Sequence, residues 1–376
     1  MQTFRIRFFR SASTDRLKMN SLWDFPTIIK EVVKVNRFEF PESYQPVLEE
    51  LIANCGQSLR EPKKLARYVQ SLSEAYITRS NPNPWSTKSS TAAYLAYFFP
   101  LNYLRVRRAL QQSRAAGFSI EVERVIDFGA GCGSATWALL DELDEFSPKH
   151  IYFIERSPQA RGLIEAFLEA HNFSGRYEFT DQLSSQAIES ADLVMSSYSI
   201  NELGKSVDFL FETSRGLIIE PSSQNESREL MGLRADLIDK GYSIQAPCTH
   251  QLSCPLLKHS KRDWCHDRIH IEKPQWLEAL EAHLPMTNNS LTFSYLAYSN
   301  QRSEQNERLA RVIGDTLQEK GKTRQALCRN DQREFLSWLK RDGKPQFLEH
   351  GQLIRMREDY ENKGNELRIK SKIESV

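Results

Sequence analysis

Val125-Ile-Asp-Phe-Gly-Ala-Gly-Cys-Gly-Ser134 is the stretch on which the fold turns. RVIDF (124–128) is a short apolar run with an acid near its end, and SATWALLDEL (134–143) has helical periodicity. The glycines between them therefore join a strand to a helix. Gly129, Gly131 and Gly133 permit a tight turn and let backbone approach a ligand without a Cβ in the way. Adjacent N–H groups at the start of the helix can bind an anionic group. A dinucleotide loop of the form G-x-G-x-x-G would place glycine at 134, where this chain has serine. The third glycine comes one residue early, and no pyrophosphate is implied. A loop that only turns the chain is the plainer alternative.

Outward from the loop, strands and helices alternate. HIYFIE (150–155), YEFT (177–180), DLVMSS (192–197) and GLIIE (216–220) read as strands. The helix between the first two opens with Ser157 as N-cap and Pro158 in the first turn. Asn201–Ser214 and Glu226–Lys240 are the later helices, and Tyr242–Ala246 and Thr292–Ser299 the late strands. This repeat predicts right-handed crossovers and a mainly parallel sheet covered on both faces. Glu155 then ends the second strand, where a carboxylate can accept hydrogen bonds from both hydroxyls of a ribose.

Upstream, residues 20–120 read helical, as in Pro46–Asn54 and Pro62–Ile77. Tyr94, Tyr97, Phe98 and Tyr103 form an aromatic face that reads as core, and Arg105, Arg107 and Arg108 read as a solvated face, with RNA contact the alternative. Residues 1–19 are a basic arm, a targeting segment or an upstream extension with Met19 as the start. Beyond Lys344 the chain is charged and low in apolar residues, which predicts frayed helix or disorder.

The 376 residues are 40% hydrophobic and 26% charged, an ordinary globular composition with length for two or three domains. The net charge of +1 argues against a generally basic nucleic-acid binder, but the total hides a pattern. Residues 1–120 carry 18 basic and 9 acidic side chains, 121–300 carry 15 and 27, and 301–376 carry 17 and 13. Two basic flanks bracket an acidic middle, an asymmetry that can mark a nucleic-acid-facing surface; compositional noise is the alternative, and the plainer reading for the C-terminal excess taken alone. No apolar run approaches the ~18 residues of a membrane span. Six cysteines do not make a disulfide framework and suit a reducing compartment.

Three of those cysteines cluster. Cys248, Cys254 and Cys265 follow a C-x5-C-x10-C spacing, and His250, His259, His266 and His270 lie in the same segment. This is not the paired C-x2-C of a zinc ribbon. Soft thiolates on an irregular loop suit zinc or an iron–sulfur cluster, each wanting four ligands. The fourth is either a local histidine or Cys328, at the end of a predicted strand. Three separate buried thiols are the alternative. Cys132 reads as a small filler, and Cys55 stands apart.

The glycine stretch resembles the first motif of the class I S-adenosylmethionine-dependent methyltransferases. That resemblance implies that Asp127 lies near the methionine amino end of the cofactor, that Gly129, Gly131 and Gly133 pass beneath it, that Glu155 binds the ribose and that Asp181 contacts adenine. Ser196–Leu203, at the end of the fourth strand, lacks the Asn/Asp-Pro-Pro-aromatic sequence of many amino-methylating members. Tyr198 and Asn201 could face a substrate, but no catalytic base or target atom is assigned.

Further motifs narrow the resemblance. YLAYFFPLNYLRVRRAL, DLVMSSYSINEL, IIEPS, APCTHQLSCPLLKHSKRDWCHDR, FSYLAYS and RVIGD…GKTRQALC resemble the ribosomal small-subunit methyltransferase-like proteins of bacteria and mitochondria, from about Tyr76 to Lys344. The resemblance implies an α/β fold: a class I methyltransferase Rossmann-like, mainly parallel sheet with a helical N-terminal domain and a cysteine-rich metal-binding insertion between the last strands. It implies a [4Fe–4S] cluster on Cys248, Cys254, Cys265 and Cys328, with zinc the alternative. Thr249 and Asp267 depart from the family pattern, but neither is a ligand position.

The expected domains are 20–120 (helical), 121–300 (methyltransferase-like, with the metal module at 246–290), 301–345 (strands completing the metal site) and 346–376 (charged tail). The expected function is an S-adenosylmethionine-binding protein that acts on or docks to the rRNA of the small ribosomal subunit, with no membrane partner. An ordinary methyltransferase with structural zinc and a non-catalytic scaffold are the alternatives. The expected compartment is the cytoplasm, or alternatively the mitochondrial matrix.

Overall fold

Five-residue apolar strands separated by amphipathic helices dictate a parallel sheet, and the computed structural model contains one. The structure describes residues 37–78, 80, 82–143, 146–200, 207–302, 308–357 and 359–376. The arm at 1–19 and Asn201 lie outside the described residues. In chain order the first elements are β1 (Arg37–Glu39), α1 (Gln45–Asn54), α2 (Pro62–Thr78), α3 (Lys88–Ala93) and α4 (Phe99–Ala115). The alternating part follows: β2 (Arg124–Phe128), α5 (Ser134–Glu142), β3 (His150–Ile154), α6 (Pro158–Ala170), β4 (Arg176–Thr180), α7 (Ser185–Ser190), β5 (Leu193–Ser197) and β6 (Arg215–Glu220). Then come α8 (Gln224–Asp239), β7 (Ser243–Ala246), α9 (Pro255–His259), β8 (Asp267–Glu272), α10 (Gln275–Glu281) and β9 (Ser290–Ser299).

The sheet runs β4-β3-β2-β5-β6-β9, with β7 and β8 both paired to the long β9 and β1 beyond β8. Strands β2 to β6 are mutually parallel and β9 is antiparallel to β6. This is the Rossmann-like α/β fold that the alternation predicts. Chain order reverses between β2 and β5, the switch point at which such sheets open a crevice beyond their carboxyl ends. Neighbouring residues divide between the two faces: Val125, Leu193 and Leu217 pack on one side, Ile126, Val194 and Ile218 on the other. Burial on both faces is why these strands read as continuous apolar runs.

The N-terminal helices do not build a core of their own. Leu48, Val69, Tyr103 and Leu110 share one buried cluster with Trp137, Phe167 and Phe293, and β1 adds a parallel edge strand on β8. The separate helical domain expected for 20–120 is thus, where described, a layer on the sheet. Of the helix expected at 201–214, residues 201–206 are outside the described set, and Asp208–Phe211 forms one tight turn.

α4 and α5 are locked by a carboxylate. Asp141 accepts hydrogen bonds from Tyr44 Oη at 2.8 Å, from Tyr103 Oη and from His171 Nε2 at 3.2 Å. Burial pushes its pKa up, but the bonds from His171, Tyr103 and Tyr44 outweigh this and hold it below the usual carboxylate range. Asp141→Ala strands two buried phenol donors, each worth about 1–3 kcal/mol, so the unfolding free energy at pH 7 should fall by about 2–4 kcal/mol in a urea titration. The folded-state pKa is the lower one. Its stabilisation is therefore complete above pH ~4 and fades below it, and the gap between variant and parent closes on acidification.

The remaining chain closes a second sheet into a ring. Its strands are β10 (Leu309–Val312), β11 (Leu317–Glu319), β12 (Lys322–Cys328), β13 (Glu334–Leu339), β14 (Leu353–Arg355), β15 (Glu361–Lys363), β16 (Glu366–Arg368) and β17 (Glu374–Ser375). β10 and β11 both pair antiparallel with β12, β12 pairs antiparallel with β13, and β13 pairs parallel with β16. β15–β16 and β14–β17 share one antiparallel register, with Glu361 opposite Arg368 and Ile354 opposite Ser375. β14 returns to β10. Counting β10/β11, β12, β13, β14/β15 and β16/β17 as five strands, the ring order is 1-2-3-5-4-1.

The tail at 346–376 is therefore not disordered: it supplies the fourth and fifth strands. Its few apolar residues are placed inward, with Leu353, Ile354, Met356, Leu367, Ile369 and Ile373 all buried. Mean composition missed this because each element is only two or three residues long.

Candidate functional site

The glycine loop sits at the switch point. Gly129, Gly131 and Gly133 all adopt positive φ (64°, 56° and 82°), and Gly133 is the N-cap of α5. A Cβ on Gly129 would collide with the Cβ of Ser199, so the first glycine is required by its neighbour as well as by its backbone. Gly129 N and Ala130 N donate to Ile154 O at 3.0 and 3.2 Å, which ties the loop to the end of β3.

Glu155 is the other half of this clasp. Its Oε2 accepts from Gly131 N at 2.9 Å and its Oε1 from Ser157 N at 2.8 Å. Ser157 caps α6 as expected, accepting from Ala160 N at 3.3 Å. Each carboxylate oxygen keeps acceptor capacity for a further donor. Asp127, 1% exposed at the end of β2, accepts from Thr136 Oγ1 at 2.6 Å. Burial, which outweighs the Thr136 hydrogen bonds, pushes its carboxyl up to about 6, with the nearby Glu155 charge adding in the same direction. A cation placed beside Asp127 would offset both effects. Asp181 is exposed beyond β4 and is held by an ion pair with Arg161, whose Nε donates to Glu155 O at 2.7 Å. The structure thus brings Asp127, the three glycines and Glu155 together, and links Asp181 to them through Arg161.

Besides Tyr198, which the sequence offered as a substrate-facing residue, several residues around this crevice were not legible as site residues. Trp85 lies over Gly131, 3.4 Å from where a Cβ would stand, and packs on Tyr94 with ring centroids 4.9 Å apart. Asn102 Nδ2 donates to Tyr94 Oη at 3.4 Å and Asn102 Oδ1 accepts from Arg105 at 2.8 Å. Arg105 lies 5.9 Å from the ring of Tyr198. Tyr198 has φ 61°, a left-handed conformation that a bulky residue rarely adopts. It stands just beyond the carboxyl end of β5. Burial raises its phenol pKa; Arg105 opposes the rise and Glu220 adds to it. The arginine row is not a free solvated face: Arg107 pairs with Glu142 at 2.6 Å, and Arg108 lies over Phe38 and 3.8 Å from Asp267.

The cysteines come from four separate places. Cys248 follows β7, Cys254 caps α9, Cys265 precedes β8 and Cys328 ends β12. Cys248, Cys254 and Cys265 belong to one apolar cluster, and Cys328 joins them through His250 Nε2 (3.4 Å) and through Thr249, which donates to its carbonyl at 3.3 Å. Burial raises the thiol pKa of Cys254, Cys265 and Cys328, and the neighbouring cysteines raise each further. Arg234 of α8 is 1% exposed, and its guanidinium donates to Cys248 Sγ at 3.0 Å and to the carbonyls of His250 and Leu252 at 2.8 and 2.9 Å. None of these partners is a carboxylate. A buried cation facing thiols fits a site built for thiolates. Among the described residues, however, no group of three or more histidine, cysteine, aspartate or glutamate side chains is disposed to hold a metal ion. Cys55 lies elsewhere and Cys132 is buried in the glycine loop, as expected.

The ring docks beside this cluster. Arg311, 2% exposed, donates to the carbonyls of Pro247 and Gly351 and to Gln112 Oε1. Arg333 pairs with Asp263, and Lys258 with Asp331, each at 2.7 Å. No described helix is long and apolar enough to cross a membrane.

Against known proteins, residues 88–351 match the model of the family described as mitochondrial small ribosomal subunit Rsm22. The chain is 25% identical over 193 residues to the ribosome assembly protein METTL17, mitochondrial, of Homo sapiens, a match that covers 46% of this chain and 42% of that protein. The match thus spans about two-fifths of the curated relative. Among solved structures, a candidate RNA methyltransferase from Pyrococcus horikoshii aligns at 17% identity and a TM-score of 0.34, covering 52% of this chain and 83% of the other. A precorrin-6y C5,15-methyltransferase from Geobacter metallireducens aligns at 15% identity and 0.32, covering 52% and 89%.

Proposed function

The chain belongs to the mitochondrial small ribosomal subunit Rsm22 family, and from that membership we propose an S-adenosylmethionine-binding, methyltransferase-like factor that docks on rRNA of the small ribosomal subunit during assembly. One observation carries the reading: the matched residues 88–351 span both the glycine crevice and the cysteine cluster. Asp127, Gly129, Gly131, Gly133, Glu155 and Asp181 are the residues assigned to the cofactor, Glu155 to its ribose and Asp127 to its amino end. When bound, the cofactor supplies an electrophilic methyl group; no residue is assigned as catalytic base. The names of the family and of the human relative support the mitochondrial matrix over the cytoplasm as the compartment. Tagged protein should co-sediment with small-subunit particles during assembly. A chain found only in the ribosome-free fraction would end this reading.

Cys248, Cys254, Cys265 and Cys328 are the residues proposed to hold a [4Fe–4S] cluster, with zinc as the second reading. The buried Arg234, whose guanidinium donates to Cys248 Sγ, supports a thiolate site. A single zinc ion would need its ligands within ~2.3 Å of one centre, and the side chains are not so disposed. Because Cys328 belongs to the ring and the other three to the insertion, a bound cluster would cross-link the two. Anaerobic purification with iron, sulfide and absorbance measurements should show a coloured protein. Cys328→Ser should lose the colour and the iron, and Cys55→Ser should keep both. A colourless, zinc-only parent would overturn the cluster.

A further inference from the structure

We propose that the C-terminal ring is a reader of single-stranded RNA, with a cationic cleft at its free end that tracks the phosphate backbone. The proposal deepens the rRNA-docking reading, on which the choice of RNA rests. The first observation is topological. A five-stranded ring in the order 1-2-3-5-4-1, with its third and fifth strands parallel, has the strand arrangement of oligonucleotide-binding barrels. Those barrels use the face of strands two and three and the loops 1–2 and 4–5 to hold strands of nucleic acid. Here loop 1–2 is Lys320-Gly321 and loop 4–5 turns at Gly364.

The second observation is where the charge lies. Residues 308–376 carry 16 basic and 11 acidic side chains. On the strand face the cations are neutralised: Lys322 and Arg324 pair with Glu319 and Glu366, and Arg329 with Glu334. The end of the ring that carries Cys328, Asp331 and Arg333 is occupied by the cysteine insertion. At the opposite end a cleft is lined by Trp338, Asp342, Lys344, Ile369, Lys370 and Lys372. It adjoins loop 1–2, because Lys340 N donates to Gly321 O at 2.9 Å. Lys320, Lys340 and Arg341 extend the exposed positive surface. Two acids temper it: Asp342 lies 3.6 Å from Arg341, and Glu361 lies 3.9 Å from Lys370. A flexible polyanion meets three exposed lysines and the nearly buried indole of Trp338 in the lining of the cleft.

The test uses the full chain and a labelled single-stranded RNA of about ten nucleotides and mixed sequence, followed by fluorescence anisotropy. The triple variant Lys344→Glu, Lys370→Glu, Lys372→Glu should bind at least ~10-fold more weakly near 0.1 M salt, and the slope of log affinity against log salt should shrink by about 2. All three side chains are exposed, so the fold should persist, and an unchanged melting curve checks this. Lys149→Glu, on the far sheet, is the control for charge alone. No binding by the parent, equal losses in triple variant and control, or equally good competition by duplex RNA would each overturn the proposal. RNA affinity and co-sedimentation are read separately. Loss of the first with retention of the second fails the ring alone, and the converse fails the docking reading alone.

Discussion

Gly129→Ala should weaken S-adenosylmethionine binding by at least about 30-fold in a calorimetric titration. The backbone at 129 has φ 64°, which costs an L-residue about 1–2 kcal/mol. The new methyl group would also collide with Ser199. Ser199 is not free to yield, since its Oγ donates to Phe128 O at 2.8 Å and lies 2.6 Å from Ser196 Oγ. Overpacking of this kind adds about 1–3 kcal/mol. If the loop relieves the strain by leaving the geometry that holds the ligand, the total of about 2–5 kcal/mol becomes a loss of roughly 30- to 5,000-fold in affinity. The double variant Gly129→Ala, Ser199→Gly removes the collision but not the backbone strain, and so should recover part of the affinity. Gly162→Ala is the control, because a Cβ there meets nothing within 4 Å and α6 gains a better helix former. A Gly129→Ala protein that binds like its parent would show that the loop does not cradle the cofactor.

What the sequence made legible was the part governed by short-range rules. The five-residue runs, the glycine spacing and the Ser157-Pro158 helix start are local, and the mainly parallel sheet and the place of Glu155 at the end of β3 follow from them. What stayed hidden depends on distant partners. Trp85 and Gly131 are far apart in sequence, and no periodicity announces that one covers the other. Arg107 and Arg108 read as solvated because their partners, Glu142 and Asp267, are brought in only by the tertiary fold. The tail failed for a related reason. Leu353, Ile354 and Leu367 sit in three-residue strands whose stability comes from closing a ring, so window-averaged composition recorded charge and missed alternation. The cysteine cluster was readable as a density of thiols, but Arg234, on a helix 14 residues before Cys248, was not.

That arginine supplies the second large effect. Arg234→Met removes three donors at once from a site with almost no access to water. The carbonyls of His250 and Leu252 would lose their guanidinium partner, and Cys248 the cation that faces it. Removing one partner from a buried charged arrangement costs about 3–5 kcal/mol, whereas replacing an exposed pair member costs about 1 kcal/mol or less. The unfolding midpoint of Arg234→Met in denaturant should therefore fall far below that of Arg124→Met, whose ion pair with Asp192 is nearly half exposed. Arg234→Lys separates charge from geometry: an ammonium keeps the positive charge but cannot reproduce the planar fork that reaches a sulfur and two carbonyls together. If the charge matters most, the lysine variant should retain the iron of the anaerobically purified protein, and if the fork matters most it should behave like methionine. In either case the cysteine thiols of Arg234→Met should react faster with a disulfide reagent, since the loop from Cys248 to Cys254 loses the anchor that holds it against α8. A methionine variant as stable and as slow to react as the parent would show that the loop is held by the apolar cluster alone, and would remove the strongest physical support for a thiolate site.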